Sequence, residues 1–210
     1  MLRYLALGDS YTIGTGVRPT DAWPWQLITA LRSEGFALAD PVIIAQNGWT
    51  SDDLLTGISN ADPVPGFDLI SLLIGVNDQY SNHPLDHYEE VFAELLDNAL
   101  DLCENSPEKM VVLSIPDWSV TPFANGFQKD VITTEIDSFN DINRLVGQRV
   151  GCHYVDVTYL SRTIGGDPNW LADDGLHPNA EFYQQWIELV LPTARKILSK
   201  GVEESVNNGR

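Results

Sequence analysis

The sequence predicts an α/β protein, a three-layer α/β/α sandwich in which helices cover both faces of a five-stranded parallel sheet. Five short apolar runs, rich in Val, Ile and Leu, do not alternate cleanly with polar residues, which is typical of strands buried on both faces. Helical patterns separate these runs, and strand alternating with helix is typical of a parallel sheet. The strands are predicted at residues 4–7, 42–45, 69–74, 110–115 and 153–157.

Helices are predicted between these strands and after the last one. The clearest helix spans about residues 86–105, where apolar residues recur at steps of three and four between Tyr88 and Cys103. Asn179 offers an N-cap to the final helix because its side chain can accept a hydrogen bond from a free backbone N–H. The other helices are predicted at residues 20–33, 51–58, 131–150 and 180–198.

The length of 210 residues fits one domain, predicted over residues 1–200. An apolar fraction of 43% is ordinary for a globular protein and sufficient for a sizeable core. Segments rich in Pro and Gly are too short to be domain linkers and indicate loops. The polar segment 201–210 is predicted to be a frayed tail.

The chain carries 12 Lys and Arg against 30 Asp and Glu, a formal net charge of −18. This charge argues against nucleic acid or an anionic membrane surface as a partner, because both need a basic footprint. No stretch approaches the roughly 20 apolar residues of a membrane span, and no leader follows Met1. We therefore expect a cytoplasmic protein without stable membrane insertion and with buried, reduced Cys103 and Cys152; its oligomeric state is left open.

Four of the five predicted strands end on polar or glycine-bearing segments. These segments read GDS, QNGWTS, GVND and PDWS in chain order. Ligands of a doubly wound sheet bind outside the carboxyl ends of the strands, where such loops gather. We therefore expect the four segments to converge in space and to form the functional site.

A phosphate-binding loop is one interpretation of the first segment. Flavodoxin-like electron carriers are acidic, use this sheet, and bind the flavin phosphate in a Ser-, Thr- and Gly-rich loop after the first strand. Residues 10–16, SYTIGTG, resemble such a loop only loosely. No GxGxxG fingerprint is formed, since Pro19 stands where the last Gly is needed, and the chain has no GxxxxGK[ST] segment. An electron carrier that binds flavin mononucleotide remains an alternative.

A serine nucleophile is the other interpretation, and it needs a histidine base that is oriented by a carboxylate. His177 lies in a loop before the final helix, with Asp174 three residues earlier. That carboxylate can bond one imidazole nitrogen and leave the other aimed at Ser10. The remaining histidines are weaker candidates: His83 and His87 are expected at a solvated surface, and His153 begins a strand.

Four segments together resemble the SGNH (GDSL-type) hydrolases. The four are Gly8-Asp9-Ser10-Tyr11, Gly48, Gly75-Val76-Asn77-Asp78 and Asp174-Gly175-Leu176-His177. They occur in the family's order and spacing and cover nearly the whole chain. The one departure is Tyr11, where the family usually has Leu, and it leaves the reactive atoms unchanged.

The resemblance implies a serine esterase that works through an acyl-enzyme and needs neither cofactor nor metal. It implies Ser10 as nucleophile, His177 as general base and acid, and Asp174 as the carboxylate that orients the imidazole. It further implies an oxyanion hole made by the backbone N–H groups of Ser10 and Gly48 and by the Asn77 side-chain amide. Asp9 and Asp78 are expected to be structural supports.

The same resemblance implies small ester substrates: short acyl esters, lysophospholipids, thioesters or acetylated sugars. Residues 116–127, PDWSVTPFANGF, are mixed polar and aromatic and are predicted to select the substrate. Five tryptophans are expected in or near the rim, where they could bind substrate: Trp23, Trp25, Trp49, Trp118 and Trp170. Packing in the core is an equal expectation for Trp23 and Trp25, which lie in a helical segment. A non-catalytic binding module on the same fold is the second alternative.

Overall fold

A computed structural model describes the backbone of residues 1–208 and the side chains of residues 1–200. It contains one sheet of five parallel strands, in agreement with the predicted fold class. The strands are β1 (Tyr4–Gly8), β2 (Val42–Ala45), β3 (Leu69–Leu73), β4 (Met110–Leu113) and β5 (His153–Val155).

The strand order in the sheet is β2-β1-β3-β4-β5. β1 pairs with β2 on one side and with β3 on the other. The connection from β1 to β2 therefore runs in one direction along the sheet, and the later connections run in the opposite direction. This reversal between β1 and β3 opens a crevice at the carboxyl ends of the two strands, which is where ligands bind in such sheets. All residues of β1 and β3 are buried, as continuous apolar strands covered on both faces require.

Eight α-helices lie in the described part of the chain. α2 and α8 pack together on one face of the sheet, and α3, α5 and α6 pack side by side on the other. The last helix continues to Asn208 and so enters the segment 201–210 that is predicted from the sequence to be a frayed tail. The final two residues of that segment lie outside the described residues. The helices are α1 (Ser10–Ile13), α2 (Trp23–Ser33), α3 (Ser51–Ala61), α4 (Val76–Tyr80), α5 (Leu85–Leu102), α6 (Lys129–Val150), α7 (Thr158–Ile164) and α8 (Ala180–Asn208).

The last three strands end one or two residues earlier than the sequence predicts. For β4 the physical reason is visible at Ile115. Its N–H donates to Asn140 Oδ1 (2.7 Å) and its carbonyl oxygen accepts from Asn140 Nδ2 (3.1 Å). A side-chain amide of α6 thus replaces the strand partner at this position. Because Ile115 no longer pairs with a neighbouring strand, the segment after β4 can turn toward the crevice.

The core is continuous across both helical layers, with Trp23 and Trp186 among its largest fully buried side chains. Cys103 and Cys152 are buried free thiols, as expected. Within the described residues, no helix combines the length and the apolar character that crossing a membrane requires. The cytoplasmic location remains a prediction.

Candidate active site

Ser10 stands at the sharp turn from β1 into α1 and is 4% exposed. Asp9 caps this short helix by accepting a hydrogen bond from the Tyr11 backbone N–H (2.9 Å). Gly8 is required because a Cβ at this position would collide with Thr12 Oγ1 and with the Leu73 carbonyl oxygen. The turn therefore holds Ser10 at the carboxyl edge of the sheet, with a backbone N–H that has no partner within the helix.

His177 and Asp174 reach Ser10 from the loop before α8. His177 Nε2 lies 2.9 Å from Ser10 Oγ, and His177 Nδ1 lies 2.6 Å from Asp174 Oδ2. Asp174 Oδ1 also accepts the backbone N–H groups of Leu176 (2.9 Å) and His177 (3.0 Å), which closes the loop on itself. The three side chains form one continuous chain of polar contacts.

The hydrogen bonds on Asp174 decide its charge state. Partial burial by itself would raise the pKa of this carboxyl group, but the hydrogen bonds from His177 and the two backbone N–H groups lower the pKa below its ordinary value. An ionised carboxylate only accepts hydrogen bonds, so the proton of this contact belongs to His177 Nδ1. Nε2 is the imidazole nitrogen that faces Ser10 Oγ.

The loop after β2 brings Gly48 and Trp49 beside α4. Gly48 is exposed and has φ +81°, and a Cβ there would meet nothing, so its requirement for glycine comes from the backbone conformation. The Trp49 carbonyl oxygen accepts a hydrogen bond from Asn77 Nδ2 (2.8 Å). Asn77 therefore lies close to the Gly48 segment, as the sequence predicts, with one amide hydrogen still available.

Asp78 joins α4 to the start of α3. It is fully buried and accepts hydrogen bonds from the Ser51 N–H (3.0 Å) and Ser51 Oγ (2.6 Å). Burial raises the pKa of Asp78, while the hydrogen bonds from Ser51 and His83 oppose the rise. These contacts agree with the expected structural role of this carboxylate.

The structure corrects the expectation for His83 at a solvated surface. Its Nδ1 lies 3.2 Å from Asp78 Oδ1. The ring is half-buried against α4 because the buried Asp78 carboxylate offers it a hydrogen-bond partner there. In the described residues, Asp52, Asp78 and His83 also bring potential metal-ligand atoms within 4.8 Å of one another. His87 is exposed, as expected, and contacts Asp52 (2.8 Å).

A cavity of about 160 Å³ opens in front of Ser10, Asn77 and His177. Gly48 and Asp174 are not among the residues that line it. Tyr80 was not assigned to this cavity from the sequence. Its position one helical turn after Asn77 could have indicated that it lies beside the site. The other lining residues are Tyr11, Asn47, Val76, Trp118, Phe123 and Leu176.

Of the five tryptophans expected near the rim, Trp118 lines this cavity. Trp23 is fully buried in the core, and Trp25 follows it on α2 with partial exposure. Trp49 covers Gly57 of α3, where a Cβ would collide with its ring, and Trp170 packs edge-on against Phe182. These four rings are not among the residues that line the cavity.

Tyr11, the departure from the family pattern, packs against the candidate base. Its ring lies 5.0 Å from the His177 ring and stacks at 6.3 Å on Trp186 of α8. The hydroxyl of Tyr183, also on α8, donates a hydrogen bond to the Tyr11 carbonyl oxygen (3.0 Å). A larger side chain thus fills the space beneath the imidazole and ties the turn at Ser10 to α8.

The sequence matches the model of the GDSL-like lipase/acylhydrolase family over residues 6–185. This match decides against the two alternatives of a flavin carrier and a non-catalytic binding module. No curated protein matches the chain in a direct sequence comparison.

Solved structures of low sequence identity share the fold. The crystal structure of TesA superposes with a TM-score of 0.70 at 21% identity, over 93% of this chain and 99% of that one. A lipase/acylhydrolase from Enterococcus faecalis gives 0.69 at 20% identity over 95% and 97%. Axe2, an acetylxylan esterase from Geobacillus stearothermophilus, gives 0.68 at 18% identity over 92% and 94%.

Proposed function

The chain belongs to the GDSL-like lipase/acylhydrolase family and is a carboxylic ester hydrolase, and from this premise we propose that it acts through a Ser-His-Asp mechanism with an acyl-enzyme on Ser10. The observation that carries the proposal is the continuous chain from Ser10 Oγ through His177 to Asp174, with contacts of 2.9 and 2.6 Å. A serine hydroxyl is a weak nucleophile until an adjacent base takes its proton. His177 Nε2 is within reach of that proton.

In the first half of the reaction, Ser10 Oγ attacks the ester carbonyl carbon as its proton passes to His177 Nε2. The imidazolium that forms faces the Asp174 carboxylate, which stabilises its charge and fixes the ring orientation. His177 then returns the proton to the alcohol oxygen as the ester bond breaks. The acyl group stays on Ser10.

The negative oxygen of the tetrahedral intermediate needs hydrogen-bond donors that are already in place. We assign these to the backbone N–H groups of Ser10 and Gly48 and to the second amide hydrogen of Asn77. The Asn77 contact to the Trp49 carbonyl oxygen (2.8 Å) supports this assignment, because it fixes the amide plane beside the Gly48 segment. In the second half of the reaction, water attacks the acyl-enzyme carbonyl carbon as His177 takes its proton. The carboxylic acid is released when His177 returns this proton to Ser10 Oγ.

Several small substrates fit this chemistry: short acyl esters, lysophospholipids, thioesters and acetylated sugars. The similarity to an acetylxylan esterase makes acetylated sugars one class to assay. The cavity of about 160 Å³ favours a small acyl group over a long unbranched one. No metal or cofactor takes part in the proposed steps.

A serine-reactive organophosphonate tests the nucleophile. We expect one covalent adduct on the peptide that contains Ser10, and loss of nearly all esterase activity in Ser10→Ala. Ser81→Ala is the matched control because Ser81 is exposed just after α4 and faces no part of this mechanism. An adduct on another serine, or an active Ser10→Ala protein, would refute the assignment.

A further inference from the structure

Three aromatic rings form one wall of the cavity in front of Ser10. We call Tyr80, Trp118 and Phe123 the aromatic wall. The Trp118 ring meets Tyr80 at 5.6 Å and Phe123 at 5.9 Å, both edge-on. A fourth ring, Phe127, packs edge-on against Trp118 at 5.2 Å but does not line the cavity.

Trp118 holds a fixed position at the centre of these rings. It is 3% exposed, and its indole N–H donates to Gln79 Oε1 (2.7 Å). Gln79 Nε2 in turn donates to Glu135 Oε2 (2.8 Å) on α6, which fixes the amide orientation. The Phe123 N–H donates to the Gly175 carbonyl oxygen (3.2 Å), which ties the wall to the loop that carries His177.

The other two wall rings are exposed to solvent. Tyr80 is 49% exposed and Phe123 is 41% exposed, although both adjoin a cavity with a buried nucleophile. Apolar surface that is grouped at the mouth of a site marks a place where a ligand is expected to cover it. The wall thus has the position and the chemistry of a substrate subsite.

Resting on the proposed function, we propose that the aromatic wall binds the acyl group of the ester and that this enzyme prefers acyl groups that carry an aryl ring. Tyr80 lies three residues after Asn77, on the same face of α4, so the wall continues from the proposed oxyanion position. His177 must reach the leaving alcohol oxygen, so we place the alcohol next to His177 and the acyl substituent next to Tyr80 and the rest of the wall.

The size of the cavity suits one ring. Its volume of about 160 Å³ is close to the roughly 150 Å³ of an apolar cavity that binds benzene. Aromatic pairs gain stabilisation from edge and face contacts beyond the area that they bury. An aryl ring should therefore be preferred over a saturated ring of the same carbon count by about threefold to tenfold.

The test compares kcat/KM for methyl phenylacetate and methyl cyclohexylacetate, which share the alcohol and differ only in the ring. Methyl acetate, assayed beside them, reports ester hydrolysis without the wall. Phe123→Leu and Tyr80→Leu remove a wall ring each. Phe127→Leu is the matched control, because it removes a similarly exposed ring that contacts the same Trp118 outside the cavity.

We expect the wild-type protein and Phe127→Leu to prefer phenylacetate by about threefold to tenfold, and both wall variants to move the ratio toward one. A wild-type ratio near one, or a ratio that Phe127→Leu lowers as much as Phe123→Leu does, overturns the inference. An aryl preference that appears instead between phenethyl acetate and cyclohexylethyl acetate overturns the assignment to the acyl side. If the wild-type protein hydrolyses neither methyl acetate nor the ring-bearing esters, the result counts against the proposed function itself.

Discussion

At the scale of single residues, Asn77 has two amide hydrogens and we assign a separate role to each. One donates to the Trp49 carbonyl oxygen, and the other is proposed to meet the oxyanion. We predict that Asn77→Ala lowers kcat by about 10²–10³-fold with little change in KM, because the lost bond is stronger in the transition state than with the substrate. Asn77→Asp should be at least as damaging, since it places a negative charge where an anion must form. Kinetics on active-site-titrated protein measure both effects.

Thermal melting provides the control for these two variants. Because Asn77 also holds the Trp49 carbonyl oxygen, we expect Asn77→Ala to be destabilised by about 1 kcal/mol. Ser81→Ala, an exposed substitution at the residue that follows α4, should change neither melting nor turnover. If Asn77→Ala melts earlier yet turns over normally per folded molecule, Asn77 only supports the loop.

Asp9 is a buried carboxyl group behind the nucleophile. Burial, with a further contribution from the nearby charge of Asp78, raises the pKa of Asp9 to about 7, although the hydrogen bond from the Tyr11 N–H opposes the rise. Its Oδ2 has no hydrogen-bond partner among the described residues, as fits a group that is protonated below neutrality. Ionisation therefore leaves a poorly compensated charge in the core.

The raised pKa makes folding stability depend on pH in a defined direction. The folded protein holds this proton up to about pH 7, whereas the unfolded chain releases it near pH 4. The contribution of Asp9 is therefore fully present below about pH 4 and is lost as the pH rises through 7. Asp9→Asn should have no such loss, so its melting temperature relative to the wild type should be higher at pH 8 than at pH 5. A difference between the two proteins that is constant across this range would show that Asp9 does not titrate there.

At the scale of helices and strands, length decided what the sequence could predict. The strands and the helices α2, α3, α5, α6 and α8 have enough residues for their apolar pattern to be recognised. The short helices α1, α4 and α7, at most seven residues each, were not predicted. A helix of one or two turns shows almost no periodicity. Its stability comes from caps such as Asp9 and from tertiary contacts such as the Asp78–Ser51 bonds.

The same limit applies to the candidate site. Ser10, His177 and Asp174 could be named because their chemistry requires particular residue types in a recognisable order, and the structure brings the three together. The aromatic wall joins Tyr80 of α4 to Trp118 and Phe123, about 40 residues further along the chain. Residues 116–127 were predicted to select the substrate, but only the packing of α4 against them shows which rings face the cavity.

At the scale of the whole molecule, the charge of −18 bears on the choice of substrate. Most of the arginines among the described residues already pair with carboxylates. Acidic residues outnumber basic ones by 30 to 12, so most carboxylates have no cationic partner and the field around the protein is negative. Such a field slows the approach of anionic substrates and leaves neutral ones unaffected.

This field predicts discrimination between thioesters that carry the same acyl group. We expect a coenzyme A thioester, which bears several phosphate charges, to be hydrolysed with a lower kcat/KM than the neutral N-acetylcysteamine thioester at low ionic strength. Raising the salt from 0.01 to 0.15 M shortens the screening length from about 30 Å to about 8 Å. The coenzyme A thioester should then gain severalfold, to about tenfold, in kcat/KM, while the neutral thioester stays constant. If salt instead lowers kcat/KM for the coenzyme A thioester, a local cationic contact outweighs the net charge, and anionic thioesters become favoured candidates for the substrate.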